Sequence, residues 1–180
     1  MPTVLAVRSR FGQDGGMPPE DEVDRIVAAW GRERDDLDFA PLEVFSRVDR
    51  LARHLDRARR VAFDASGVEP WEFDVLSALR RAGEPYELSP KTLLQQTLVS
   101  SGTMTNRVDR LAARGLVSRR TDPRDGRGIL VALTAKGRTA VDAAIADLLE
   151  AERSVLAEVS PSEQAQLAGL LRRLILGLGD

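Results

Sequence analysis

Apolar residues recur every three to four positions through several stretches of the chain, which is the spacing of amphipathic helices. The first such stretch begins near Glu20 and predicts a short helix whose apolar positions are Val23, Ile26, Val27 and Trp30. A longer helix is predicted to begin at Pro41, since proline is favoured at the first helical position, and to end before Gly67. No such periodicity is found in residues 1–19, which we interpret as a flexible tail.

Shorter elements follow in the centre of the chain. Three helices are predicted from Pro70 to Leu79, from Ser89-Pro90 to about Gln96, and from Ser100 or Ser101 to Arg114. Two β-prone runs, 116–120 and 129–133, then flank a charged loop rich in turn-forming residues. Three short helices followed by a hairpin predict a helix-turn-helix with a wing.

Two amphipathic helices close the pattern. Thr134 is predicted to cap the first, and the sequence Ser160-Pro161-Ser162-Glu163 is a capping box that begins the second. The apolar stripes of these helices exceed what the small central unit can cover, so the N- and C-terminal helices are expected to form a homodimer. The fold class is mainly α with a small β-hairpin wing. The predicted divisions are 1–19 (tail), 20–66 (N-terminal helices), 67–134 (winged helix-turn-helix) and 135–180 (C-terminal dimerisation helices).

Composition narrows the range of functions. The 180 residues are 43% hydrophobic and contain no cysteine and one histidine, His54, so disulfides and thiolate metal sites are excluded and no metal or cofactor is expected. No run approaches the roughly 20 apolar residues of a membrane span, and no secretory signal pattern is present, so a cytoplasmic location is expected. The sequence has no nucleophile elbow, phosphate-binding glycine loop or paired-histidine motif, and we therefore do not expect an enzyme.

Charge is unevenly distributed although the net charge is only -2. Residues 97–137 contain eight basic and three acidic residues, whereas residues 1–45 contain five basic and ten acidic residues. A basic stretch within an acidic protein favours a local phosphate-binding surface, because attraction to DNA depends on local potential. A solvated charged surface is the alternative interpretation of charge alone.

The helix that begins at Ser101 has two different faces. One face is apolar and comprises Met104, Val108 and Leu111. The polar side suits base edges and phosphates in a major groove; its residues are Ser101, Thr103, Thr105, Asn106 and Arg110. The hairpin tip adds Arg124 and Arg127, which can enter a minor groove beside the same half-site. We therefore predict binding to double-stranded DNA, with an inverted repeat as the operator of a dimer.

From about residue 20 to the end, the chain resembles the MarR family of winged-helix regulators. The residues that carry this resemblance are Ser101-Gly102-Thr103-Met104-Thr105-Asn106-Arg107-Val108-Asp109-Arg110-Leu111, Arg114-Gly115-Leu116-Val117 and Asp122-Pro123-Arg124-Asp125-Gly126-Arg127-Gly128 with Leu133-Thr134. The family usually has arginine where Gly126 stands, whereas Arg127 matches the arginine that the family places in the minor groove.

A narrower resemblance is to the urate-responsive branch of this family. It rests on the extra helix ending in Trp30, the connector Asp36-Leu37-Asp38, Pro41 and the sequence Glu72-Phe73-Asp74-Val75-Leu76. The resemblance implies a small-molecule anionic ligand, urate or a similar compound, contacted by Trp30, Asp74, Arg107 and Arg119. An ion pair between Asp74 and Arg119 would hold the wing, and an anion competing for the arginines would loosen it.

The sequence thus predicts a repressor that a small aromatic anion releases from DNA. Another carboxylate or phenolic ligand, a DNA-binding module without a ligand, and activation instead of repression remain open. Trp30 is also explained as a packing residue of an amphipathic helix, and Asp74 as a solvated carboxylate.

Overall fold

The computed structural model describes residues 19–97, 100–123, 125–126 and 128–179. Most of them are helical, and the strands form one small sheet, so the predicted fold class is confirmed. In chain order the elements are α1 (Glu22–Glu33), α2 (Ala40–Ala65), α3 (Pro70–Arg81), β1 (Glu87–Leu88), α4 (Pro90–Thr97), α5 (Ser101–Ala113), β2 (Val117–Thr121), β3 (Ile129–Leu133), α6 (Ala135–Val155) and α7 (Pro161–Gly177). The tail predicted for residues 1–19 lies, except for Pro19, outside the described residues.

The chain divides into two compact units. Among the described residues, one contains 19–55 together with 153–179, and the other contains those within 56–152. The second unit has a continuous core to which α3, α4, α5 and the sheet contribute. Its deeply buried members include Leu76, Leu79, Leu93, Met104, Leu111 and Val131.

The sheet has the strand order β1-β3-β2, and both pairs of neighbouring strands are antiparallel. The β2–β3 hairpin is the predicted wing, with Arg119 opposite Val131. Strand β1 was not predicted, because two residues are too few to show the alternation that identifies a strand. It pairs with β3, where Leu88 lies opposite Val131, and so fixes the wing to the segment between α3 and α4.

Helix ends follow the local chemistry of the sequence. The Ser100 side chain caps α5, and Gly115, with φ of +69°, ends it in the left-handed region that glycine tolerates. The capping box of Ser160 and Glu163 begins α7 as predicted. The Thr134 hydroxyl accepts a hydrogen bond from the Gly137 N–H at 3.0 Å and thereby caps α6.

A buried ion pair joins the two ends of the helix-turn-helix. Glu72 of α3 is 1% exposed and accepts a hydrogen bond from the Arg114 guanidinium, which follows α5. Arg114 also donates to the Gly67 carbonyl at 2.8 Å. These contacts fix the end of α5 to the turn before α3, because a carboxylate buried this deeply requires its partner.

In the first unit, α1 is attached to α2 mainly by charged groups. Arg47 of α2 donates to Asp21 at 2.8 Å and to Asp24 at 2.6 Å, and Arg50 donates to Glu22 at 2.6 Å. Large apolar side chains remain exposed on α2 and α7 of this unit: Val44, Phe45, Val48, Leu51, Leu167, Leu170, Leu171, Leu174 and Ile175. No helix in the described part of the chain is both long and apolar enough to cross a membrane.

Candidate nucleic-acid interface and anion clefts

Helix α5 presents one polar side to solvent and buries the other. Met104, Val108 and Leu111 are at most 2% exposed and pack into the core of the second unit. The residues predicted to contact DNA on this helix are all exposed: Ser101, Thr103, Thr105, Asn106 and Arg110. The helix therefore offers hydroxyl, amide and guanidinium groups on a rigidly held support, which is what reading base edges requires.

The wing is described only in part. Its tip is closed by the Asp122 N–H, which donates to the Gly128 carbonyl at 2.8 Å, and by the Gly128 N–H, which donates to the Asp125 carbonyl at 2.7 Å. The predicted minor-groove residues Arg124 and Arg127 lie outside the described residues.

An open groove of about 470 Å³ runs along the exposed side of α5 and includes Trp71 of α3. The guanidinium carbons of Arg110 and Arg107 lie 4.5 and 5.7 Å from the centre of the Trp71 ring. Glu69, the residue before α3, accepts hydrogen bonds from the Trp71 indole N–H and from Arg110, the latter at 3.4 Å. Both arginines thus lie over one aromatic ring, and one of them also contacts a carboxylate.

Arg107 has an unusual environment for a cation. Its Nη1 atom is buried and has no hydrogen-bond partner among the described residues. Because a buried charged donor without an acceptor is costly, this atom is a candidate for an anion's oxygen.

A cleft of about 380 Å³ lies among α2, α3 and α6 of the second unit. Phe63 and Phe73, whose rings stack with centres 4.6 Å apart, form its apolar wall, and the predicted ligand residue Asp74 lines it. Arg59 and Arg60 of α2 supply positive charge, while Asp56 also lines the cleft and Arg59 pairs with Glu152 at 3.0 Å. Removal of Asp74 from water raises the pKa of its carboxyl, and the charges of Arg107, Arg59 and Arg81 oppose that rise. The cleft thus combines cations with aromatic surface, which suits a planar anion.

The predicted ion pair between Asp74 and Arg119 is wrong. Arg119 of β2 instead pairs with Asp109 of α5, with Nη1 and Oδ1 2.6 Å apart. This pair lines a separate cleft of about 270 Å³ that Thr105 and Ile129 also border. The prediction failed because Asp109, two residues past the middle of α5, offers a carboxylate directly beside β2 of the wing.

Trp30 belongs to the first unit, where its ring stacks on Phe39 with the centres 6.1 Å apart and remains 50% exposed. Of the four predicted ligand residues, the structure brings Asp74 and Arg107 within electrostatic range of each other and gives Arg119 a different partner.

Several site residues were not identified from the sequence. Glu69, Trp71, Arg59 and Arg60 lie outside the motifs on which the predictions rested. The basic pair in α2 was visible as a charge cluster, but its cleft depends on how α2, α3 and α6 pack. The contact between Trp71 and Arg110 joins residues 39 positions apart, so no local spacing reveals it.

Comparison with known proteins identifies relatives along most of the chain. A model of the MarR family matches residues 66–128. The HTH-type transcriptional regulator PecS of Dickeya dadantii is 34% identical over 153 residues, which are 85% of this chain and 92% of PecS.

Solved structures agree with the fold. BpsR of Bordetella bronchiseptica, whose structure concerns regulation of DNA binding by 6-hydroxynicotinic acid, is 28% identical with a TM-score of 0.55 and covers 71% of this chain and 98% of its own. A mutant MarR of E. coli in complex with operator DNA is 23% identical, covers 86% of this chain and 99% of its own, and has a TM-score of 0.62. At that identity the second likeness concerns the fold alone.

Proposed function

Because this chain belongs to the MarR family of transcription regulators, we propose that it is a homodimeric repressor that a small planar anion releases from an inverted-repeat operator. The observation that carries DNA binding is the exposed polar side of α5 above a fully buried apolar side. Thr103, Asn106 and Arg110 contact base edges in the major groove. Ser101 and Thr105 flank them, and Arg124 and Arg127 of the wing enter the adjacent minor groove.

The apolar residues exposed on α2 and α7 support a homodimer. Leu170, Leu174 and Ile175 are each about half exposed, although leucine and isoleucine strongly favour burial. A second copy of the chain covers these side chains and places two α5 helices about one duplex turn, roughly 34 Å, apart or a multiple of it. Sedimentation equilibrium tests this assembly, and Leu174→Glu is expected to shift it to monomer.

The effector is a planar anion of modest size, such as urate or a similar aromatic acid. Support comes from the cleft in which Asp74 meets Arg59, Arg60 and two stacked phenylalanine rings, and from the unpartnered Nη1 of Arg107. The family resemblance also implies Trp30 and Arg119 as ligand residues, and Arg119 would have to leave Asp109 to take this role. The solved relative BpsR responds to 6-hydroxynicotinic acid, which is a compound of the same class.

Release requires the anion to bind the DNA-free geometry more tightly than the DNA-bound one. Arg107 is suited to this coupling because it lies on the helix that reads DNA, three residues from Arg110. An anion that takes Arg107 as its partner pulls on α5 itself, and the displaced helix loses its register with the base edges.

Fluorescence anisotropy of a labelled duplex from the region upstream of the protein's own gene tests the proposal. Urate is titrated at fixed salt, because phosphate-driven affinity depends on salt. We expect urate to release the duplex from the wild-type protein, and Asp74→Ala or Arg107→Ala to weaken this release. Arg110→Ala should weaken DNA binding, whereas Arg57→Ala, which removes an exposed arginine of α2, should leave it nearly unchanged.

Other outcomes separate the alternatives. If the duplex is bound tightly and is released by 6-hydroxynicotinate but not by urate, the assignment as a repressor stands and the assigned effector changes. Binding that no aromatic acid alters would favour a ligand-independent module. Failure to bind any duplex at low salt would contradict the assignment of α5 as a DNA-reading helix.

A further inference from the structure

Arg110, on the exposed side of α5, contacts two side chains at the start of α3. Its guanidinium lies 4.5 Å from the centre of the Trp71 ring, and its Nη2 atom lies 3.4 Å from the Oε1 atom of Glu69. The other carboxylate oxygen of Glu69 accepts the indole N–H of Trp71. Carboxylate, ring and guanidinium therefore form a closed triangle, which we call the clamp of Glu69, Trp71 and Arg110.

The backbone at the start of α3 holds the clamp. The Glu69 N–H donates to the buried carboxylate of Glu72 at 3.0 Å, and Pro70 occupies the first helical position. The Glu69 carboxylate contacts Trp71 and Arg110 from this position at the start of α3.

We infer that Glu69 and Trp71 are positioning residues that set the DNA specificity of Arg110. This inference rests on the proposed function. An arginine free to rotate binds any phosphate, whereas an arginine held over a ring in one orientation is prepared for a bidentate contact to one base. Glu69 adds a second effect, since its carboxylate competes with DNA phosphates for Arg110 and so disfavours backbone contacts of this side chain relative to a bidentate contact to a base. The clamp thus lowers affinity for random DNA and retains affinity for the operator.

The main test measures discrimination, defined as the ratio of Kd for a random duplex to Kd for the operator. The operator is first selected from random duplexes with the wild-type protein. Glu69→Gln keeps the shape of the side chain but removes its charge. We expect it to tighten binding to random DNA and to lower discrimination by roughly threefold to tenfold, the range expected for one exposed ion pair with a cation–π contact. The salt dependence of binding to random DNA should steepen by the equivalent of about one phosphate contact, because Arg110, once released from Glu69, binds the DNA backbone.

Two controls separate positioning from charge alone. Asp142→Asn removes a carboxylate from another exposed ion pair of the same unit, that with Arg80, and should leave discrimination unchanged. In an Arg110→Ala background, Glu69→Gln should no longer change discrimination, since the side chain that it positions is absent. Equal tightening on operator and random DNA in both backgrounds would overturn the inference.

A DNA-free measurement tests the clamp directly. Trp71 is the only tryptophan left in a Trp30→Phe protein. Arg110→Ala and Glu69→Gln should both change its fluorescence intensity, because the first removes the guanidinium over the ring and the second removes the negative charge beside the indole N–H. Unchanged emission in both variants would also overturn the inference. If the wild-type protein bound no duplex, the proposed function and the inference would fall together, whereas binding with unchanged discrimination in Glu69→Gln contradicts the inference alone.

Discussion

Gly137 lies in the first turn of α6, where that helix comes close to the backbone of Leu116. A Cβ atom added there would lie 2.0 Å from the Leu116 carbonyl oxygen and 2.9 Å from its carbonyl carbon, whereas ordinary contact begins near 3.4 Å. Gly137→Ala therefore requires α6 and the start of β2 to separate by about 1.4 Å. Neither partner is a flexible side-chain end, so the strain falls on the backbone.

The cost follows from what the Leu116 carbonyl does. It accepts the Thr134 N–H at 3.1 Å and shares the Thr134 hydroxyl, 3.0 Å away, with the Gly115 carbonyl at 2.8 Å, and separation weakens both bonds. Two such bonds contribute about 2 kcal/mol, and overpacking adds about 1–3 kcal/mol. The higher helix propensity of alanine offsets about 1 kcal/mol of this loss of stability. We expect Gly137→Ala to lower the free energy of unfolding by about 2–4 kcal/mol.

Urea unfolding followed by circular dichroism measures this loss, at one protein concentration because dimerisation also contributes to stability. Gly102→Ala is the matched control, since Gly102 is a helical glycine of the same unit whose added Cβ meets nothing within 4 Å. That variant should unfold at or slightly above the wild-type midpoint. If Gly137→Ala also unfolded there, the close approach of α6 to β2 would be refuted.

Three further predictions concern charged groups. Arg114→Ala should lower the free energy of unfolding by about 1–3 kcal/mol, because it leaves the buried carboxylate of Glu72 with the Glu69 N–H but no cation; adding Glu72→Gln should recover part of this loss in the same urea assay. Burial raises the pKa of Asp74, so its carboxyl stays protonated to a higher pH than an ordinary aspartate and can donate a hydrogen bond to an anion in the cleft; the anion should bind more weakly as this proton is lost and the charge develops. Calorimetry with an aromatic sulfonate, whose charge is constant, should show this decline in the wild type and a flat profile in Asp74→Asn. The Arg47 guanidinium lowers the pKa of Asp21 from 3.8 to about 2, so the contribution of Asp21 to the attachment of α1 is complete above about pH 4 and is lost as pH falls through about 2; NMR titration should place the Asp21 midpoint near 2 and return it towards 3.8 in Arg47→Gln.

Local signals predicted the elements of the fold well. The Ser100 cap, the glycine after α5 and the capping box before α7 are each complete within a few residues of sequence, and the structure has all three. The apolar side of α5 was also predictable, because Met104, Val108 and Leu111 recur at helical spacing. Strand β1 was missed since its stability comes from pairing with β3, which lies more than 40 residues away.

The site was less predictable, because its contacts join distant segments. Asp74 and Arg119 were assigned to one ion pair on the basis of a family resemblance, yet Asp109 lies nearer to Arg119 and takes it as a partner. The same limit applies to Trp71, which contacts α5 only because α3 and α5 cross. Charges are especially hard to pair from sequence, since several carboxylates compete for each arginine and small differences in distance decide among them.

Under the proposed function, the ring of Trp71 gives effector and operator a physical means of coupling. Arg107, which the effector engages, and Arg110, which DNA engages, are on successive turns of α5 and both lie over this ring. A change in the orientation of one guanidinium alters the space left for the other, so no long pathway is needed between the two sites. Coupling of this kind is reciprocal: an effector that weakens operator binding by a given factor is itself bound more weakly, by the same factor, when the operator is present.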